Sequence, residues 1–157
     1  MSRPGREAPP FRPARGRAIR LPMIERTFPD GSSEAVTEGI RVRVEPEYLA
    51  DQSDPRHGIW FFAYHVTVSN ESGRTVKLVS RHWIITNAEG KEEHVRGAGV
   101  VGEQPTLRPG QSFRYSSGCP LDTPLGTMHG TYQMSTDTGG FDARIAPFTL
   151  AEPYALN

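Results

Sequence analysis

The sequence predicts an all-β protein, a sandwich of about seven or more short antiparallel strands. Three observations carry this expectation. Apolar and polar residues alternate with a period of two in several runs, turn formers recur roughly every ten positions, and no run has the 3.6-residue period of an amphipathic helix. The chain has 157 residues, 36% of them hydrophobic, with 16 glycines and 14 prolines. That composition suits many short elements around a single core.

The elements follow in order. Ile40, Val42 and Val44 alternate with Arg41, Arg43 and Glu45, as in a half-buried strand. From Trp60 to Val68, one face carries Trp60, Phe62, Tyr64, Val66 and Val68 while the other carries Phe61, Ala63, His65 and Thr67, which places this strand centrally. A turn at Asn70-Glu71-Ser72-Gly73 leads to Val76 to Asn87, apolar on both faces (Leu78 and Ile84; Val79, Trp83 and Ile85), as expected of a strand covered on both sides. Asn87-Ala88-Glu89-Gly90 reads as a hairpin turn into Glu92 to Arg96. Beyond a glycine-rich passage and the Pro109-Gly110 turn, Phe113 and Tyr115 mark a short strand. Met128, Gly130, Tyr132 and Met134 mark another, and a turn from Asp137 to Gly140 precedes Phe141, Ala143 and Ile145. Phe148 and Leu150 close the core.

Residues 1–35 read differently. Six prolines and many Arg, Gly and Ser residues predict a disordered tail. An organelle transit peptide is the alternative, opposed by the proline spacing, and a start at Met23 would remove the segment. Seven arginines against three acids give residues 1–30 a charge of +4, which leaves −4 on the remainder of a neutral chain. A mildly acidic domain is not a nucleic-acid footprint. Cys119 is the only cysteine, so no intrachain disulfide forms and the cytoplasm is the expected compartment. No run approaches the roughly 18 apolar residues of a membrane span, so no membrane insertion is expected.

Several residues invite a chemical reading. Gly97-Ala98-Gly99-Val100-Val101-Gly102 fits G-x-G-x-x-G, but the helix such a motif needs is missing, because Pro105 and Pro109 follow. A bulged loop between strands is the expected role; an anion held by backbone amides with Arg96 beside them is the alternative. For magnesium or cobalt the candidates are Glu92, Glu93 and His94, then Asp51, Asp54 and His57, then Asp137 with Asp142. None has a diagnostic spacing, so the expected metal set is none, with weak magnesium or cobalt binding left open. Cys119 lies between Gly118 and Pro120 with nothing in view to lower its pKa, and reads as a filler thiol. His65 and His82 lie inside strands and read as structural. Arg81 and Trp83 share a face, so the guanidinium is expected to stack on the indole or to meet a carboxylate, with a ligand-facing arginine as the alternative. No P-loop, G-x-S-x-G, H-E-x-x-H or C-x-x-C occurs, so no catalytic residue is expected.

From about Thr37 onward the chain resembles the ApaG family, also called the DUF525 domain. The segments that carry the resemblance are Phe62-Ala63-Tyr64 with Val66-Thr67-Val68, Arg81 to Asn87, Val95 to Pro105, Leu107 to Gly110, Tyr115 to Gly118, Thr123 to Met128 and Gly130 to Met134. The resemblance implies an ApaG domain over residues 36–157, with an immunoglobulin-like or fibronectin type III-like sandwich. It also implies a bacterial protein linked to cobalt resistance and magnesium efflux; a domain with no span does this indirectly. Similar domains in eukaryotic F-box proteins and a polymerase delta-interacting protein look like interaction modules. The family's gene neighbourhood, beside a diadenosine tetraphosphatase, points to a phosphate-rich ligand.

The expectation is therefore a non-enzymatic interaction module whose protein partner meets a sheet edge or a loop. The alternative is a binder of pyrophosphate or a nucleotide at Arg96, Gly97, Gly99 and Gly102. A homodimer is open.

Overall fold

The computed structural model describes residues 23–153. Ten strands lie among the described residues: β1 (Ile24–Thr27), β2 (Ser33–Thr37), β3 (Ile40–Tyr48), β4 (Trp60–Asn70), β5 (Val76–Asn87), β6 (Glu92–Ala98), β7 (Thr106–Leu107), β8 (Ser112–Leu121), β9 (Leu125–Thr136) and β10 (Gly139–Ala151). Two 3-10 turns, Ala50–Gln52 and Pro55–His57, join β3 to β4. One sheet has the order β8-β4-β3-β2-β1; the other has the order β10-β9-β5-β6, with the short β7 also on β5. All pairings are antiparallel. The sheets face each other as the expected β-sandwich, and β4 and β5 are interior strands.

The alternating faces build the core. Ile40, Val42 and Val44 from β3, and Phe62, Val66 and Val68 from β4, have almost no exposed surface. They meet Leu78 and Trp83 of β5, Tyr132 of β9 and Ile145, Phe148 and Leu150 of β10. Each large aliphatic or aromatic side chain buried in this way contributes about 1.5–3 kcal/mol.

Strand β5 corrects one expectation. Leu78 and Trp83, five residues apart, are both buried, although a strict period of two would put them on opposite faces. The pairing with β9 slips between Gln133↔Ser80 and Met134↔Leu78, and this bulge at Val79 turns the two halves of the strand onto the same inner face. The strand is thus not covered on both sides: its outward residues, His82 and Ile84, are half-buried.

The expected tail also needs correction. Within the segment 1–35, Ile24–Thr27 pairs with Ser33–Thr37 as a hairpin. Phe28 N–H donates to the Ser32 carbonyl (2.8 Å), and Gly31 takes a φ of 92°. Asp30 Oδ1 accepts from the Ser32 amide (3.0 Å) and hydroxyl (2.6 Å), which holds the Asp30 carboxyl below the usual carboxylate range. Prolines and serines that suggest disorder here make a Pro-Asp-Gly turn instead. Residues 1–22, the rest of the expected tail, lie outside the described residues.

The two flanks of the sandwich are closed differently. Along one flank β1 and β2 are tied to β10. Ser33 Oγ donates to the Ala146 carbonyl (2.7 Å), Thr27 Oγ1 to the Pro147 carbonyl (2.8 Å), Thr149 N–H to the Gly31 carbonyl (2.9 Å) and Arg144 N–H to Thr37 Oγ1 (3.0 Å). Along the other flank stand β6 and β8, each the outer strand of its sheet. Among the described residues no hydrogen bond joins them.

Candidate functional site

The glycine-rich passage continues directly from β6. Gly97 pairs with Arg81 in the ladder, and a side chain at Gly97 would fall within 2.9 Å of the Arg81 guanidinium. The absent Cβ is what lets that guanidinium lie flat across the strand. Arg81 Nη1 donates to the carbonyls of Ala98 (3.0 Å) and Gly99 (2.8 Å). Arg81 therefore neither stacks on Trp83 nor meets a carboxylate among the described residues; its charge is spent on loop carbonyls.

At Gly99 the φ is 59°, and a Cβ there would sit 2.1 Å from the Glu103 carbonyl oxygen. Its N–H donates to the Val79 carbonyl at the bulge (2.8 Å), while Val100 and Glu103 exchange amide bonds of 2.8 and 2.9 Å. Between them Val101 (φ 42°) and Gly102 (φ 81°) form a two-residue turn with positive φ at both positions. The amides of Gly99, Val100 and Glu103 already have carbonyl partners. Arg96 projects from the opposite face of β6, across from His82, so Arg96 and the Gly97 face are separated by the strand itself.

The open flank between β6 and β8 holds a cleft. Its inner part has a volume of about 170 Å³ and is lined chiefly by Tyr64, Trp83, Ile85, Val95, Cys119 and Met128. It continues past Glu93 and Pro120 into a shallower trough of about 270 Å³ that reaches Ile59, Lys91 and Asp122. Ile59 is a large apolar residue left 43% exposed. Trp83, only 2% exposed, makes edge-on contacts with Tyr64 and Phe148 at ring-centre distances of 5.2 and 5.8 Å. Its indole Nε1 has no hydrogen-bond partner among the described residues. Burial pushes the Cys119 thiol up to about 11, and the nearby Glu93 carboxylate adds to the shift, so at neutral pH it is an unreactive thiol. Tyr64 is raised by burial too. Beside the cleft the hydroxyls of Tyr115 and Tyr132 bond to each other.

The other candidates are dispersed. The ladder period sends Glu92, His94 and Arg96 outward while Glu93 turns inward with Val95 and Gly97, so Glu92, Glu93 and His94 do not converge. On the outer face His82 Nε2 and His94 Nδ1 are 2.9 Å apart, one donating to the other. Partial burial, then Arg96 and His94, lower the His82 pKa. Asp54 Oδ2 accepts from His57 Nδ1 (2.7 Å) in an exposed 3-10 turn. Asp51 lies in the preceding turn. Asp137 stands in the β9–β10 turn, whereas Asp142 pairs across β10 with Gln133. Among the described residues no three His, Cys, Asp or Glu side chains gather as a metal site.

One constellation escaped the sequence reading. On the outer face of the first sheet, Ser116 Oγ meets His65 Nδ1 (2.6 Å) and His65 Nε2 meets Glu47 Oε1 (2.9 Å). The three come from β8, β4 and β3, and only the pairing His65↔Ser116 could reveal them. They form an acid–base–hydroxyl string, but His65 and Glu47 are 42% and 57% exposed. The string lies along a strand face where nothing excludes water or gathers donors for an oxyanion.

Fold and site together define a class: a small two-sheet β-sandwich with one sealed flank and one open, apolar flank. The family model described as ApaG domain matches residues 50–136. The chain is 53% identical over 120 residues to the protein named ApaG of Rhodospirillum centenum, covering 76% of this chain and 92% of that one. It is 55% identical over 119 residues to ApaG of Pseudomonas putida, covering 75% and 94%. A Bordetella pertussis protein solved under the name ApaA superposes with a TM-score of 0.71 at 49% identity, over 73% of this chain and 94% of that one. The chain belongs to the ApaG family. Among the described residues no helix is long and apolar enough to cross a membrane.

Proposed function

We propose that this protein is a non-enzymatic interaction module of the bacterial cytoplasm, joined indirectly to cobalt and magnesium homeostasis, and that its protein partner docks on the open flank between β6 and β8. The observation that carries this reading is the contrast between flanks. One is sealed by side-chain-to-backbone bonds; the other leaves two strand edges beside an apolar cleft, the arrangement used for strand addition. The link to divalent cations rests on the family resemblance. A diphosphate at the glycine loop is the less favoured reading, because the Gly99, Val100 and Glu103 amides are occupied.

A photo-crosslinking residue placed at Val95, with a second placed at Thr131 on the outer face, tests the proposal in living bacteria. A discrete adduct from position 95 and none from 131 is expected. Adducts from 131 alone, or from neither, would overturn it.

A further inference from the structure

The free edge of β6 is a short window with a centre. Asn87 N–H donates to the Lys91 carbonyl (3.0 Å) and Gly99 N–H to the Val79 carbonyl (2.8 Å). These bonds fix the phase of the β5–β6 ladder, in which successive residues alternately face the neighbouring strand and face away from it. Glu93, Val95 and Gly97 bond to β5, so the amides and carbonyls of Glu92, His94, Arg96 and Ala98 point outward. The Ala98 carbonyl is already taken by Arg81 Nη1 (3.0 Å). At the other end the Gly90 N–H is spent on the Asn87 carbonyl (3.0 Å). Glu92, His94 and Arg96 remain, alternate residues with His94 in the middle.

Charge decides what such an edge accepts. The other outer strand is the poorer template: Asn70 N–H donates to the Gln111 carbonyl (2.9 Å), and this phase puts Pro120 of β8 at an outward position, where its missing N–H leaves a gap. On β6 the side chains of Glu92, His94 and Arg96 are all exposed. Arg96 has no carboxylate partner among the described residues, and Glu92 makes only a 3.4 Å contact with His94 Nε2. An edge charged with one sign would repel a copy of itself. Here acid and base stand equally far on either side of His94, so the edge is complementary to itself when reversed. A two-fold axis at His94 sets Glu92 of each copy opposite Arg96 of the other and His94 opposite His94, each imidazole already drawn toward its own His82, 2.9 Å away. An axis at Glu93 would leave Arg96 without an acid, and an axis at Val95 would set Arg96 against His94.

We infer that β6 pairs with β6 of a second copy of this chain, antiparallel about a two-fold axis at His94, joining the second sheets of both copies into one. Each outward pair exchanges two backbone hydrogen bonds, and the two Glu92–Arg96 ion pairs fix the register. The contact is a single strand edge, in the class of weak interfaces below about 1,200 Å², so the dimer dissociates on dilution. This goes beyond the interaction-module reading: the second copy takes the β6 edge, and the β8 edge with the wall of the cleft is left to another protein.

The test is sedimentation equilibrium of the full chain from about 20 µM to about 1 mM at low ionic strength, where exposed ion pairs are least screened. The average mass is expected to rise with concentration from that of one chain toward that of two. E92R and R96E each set like charges opposite one another at both ends of the window and should weaken association more than about tenfold. Mixing the two variants in equal amounts brings acid opposite base again and should restore association, which two damaged folds would not do. In a mixed isotope-labelled sample of the unsubstituted chain, NOEs between the Glu93 Hα of one copy and the Val95 Hα of the other are expected from an axis at His94. A chain monomeric at about 1 mM, association indifferent to both substitutions, a mixture no tighter than either variant alone, or NOEs from another register would each overturn the inference. Capture of a different protein at position 95 by a chain that stays monomeric removes the second copy and leaves the module reading standing. A dimer of this register with no other protein captured there does the reverse.

Discussion

The two flanks of the sandwich solve the same problem with different residues. Where β1 and β2 meet β10, small polar side chains (Ser33, Thr27, Thr37) reach across and bond backbone groups of the opposite sheet. Ala35 is fully buried on the same strand. Where β6 faces β8, the inward positions are Glu93, Val95 and Gly97 against Tyr115 and Cys119, and the sheets are joined only beside the cleft, by the Tyr115–Tyr132 hydroxyl pair and by the bonds of Asn87 to Asp122 and of Ala88 to Thr123 among the described residues. The first set can only close a flank. The second leaves an apolar space edged by the Glu93 carboxylate. The lesson is that a sandwich of this size can hold its core with one flank sealed and the other open.

The comparison is sharpened first by adding volume to each flank. A35F overpacks the sealed flank and is expected to lose about 3 kcal/mol in urea unfolding. V95F, which grows into existing space, stays within about 1 kcal/mol of the parent. Equal losses would mean that the open flank is as tightly packed as the sealed one. Titration of Cys119 gives the next largest effect. The fold holds the thiol neutral, so the unfolded chain releases its proton first as pH rises. Stability from this group is fully present below about pH 8.5 and declines toward pH 11, by roughly 2 kcal/mol. C119A should lack that part of the slope, and an unchanged slope would place the thiol in solvent. On the sealed flank, S33A strands the Ala146 carbonyl and should cost about 1.5 kcal/mol by thermal melting.

A smaller effect of opposite sign is expected at the loop. Val101 is β-branched, 55% exposed and held at a φ of 42°, a conformation that asparagine tolerates far better. V101N should raise stability by about 0.5 kcal/mol; a loss would show that the valine is packed. Smallest of all is the expected reactivity of Ser116. Its bond to His65 lacks an oxyanion pocket, so a fluorophosphonate probe should leave it unlabelled. Labelling that disappears in H65A would make this face a catalytic one.

What the sequence revealed follows from local patterning. Strands β3, β4 and β9 were legible because their alternation is uninterrupted; in β10 it changes phase at the bulge where Ile145 and Ala146 are both buried. In β5 the bulge at Val79 disguised a single inner face as two. The β1–β2 hairpin was hidden because its buried positions are the small Ser33 and Ala35, while its larger apolar residues Ile24 and Val36 are not buried. The glycine motif was legible as a loop, but its purpose was not: Gly97 makes room for the Arg81 guanidinium, and spacing does not reveal that contact because Arg81 lies on the neighbouring strand. Neither the Ser116–His65–Glu47 string nor the open flank could be read from spacing, because both depend on which strands end at the edges.

The central claim, that the β6–β8 flank is the working surface, is tested most directly in a bacterium lacking its own ApaG gene and scored for growth in cobalt. Wild-type protein and the V101N variant, altered away from the cleft, should restore tolerance, whereas V95F, folded but with its cleft filled, should not. Restoration by V95F at wild-type level would contradict the account.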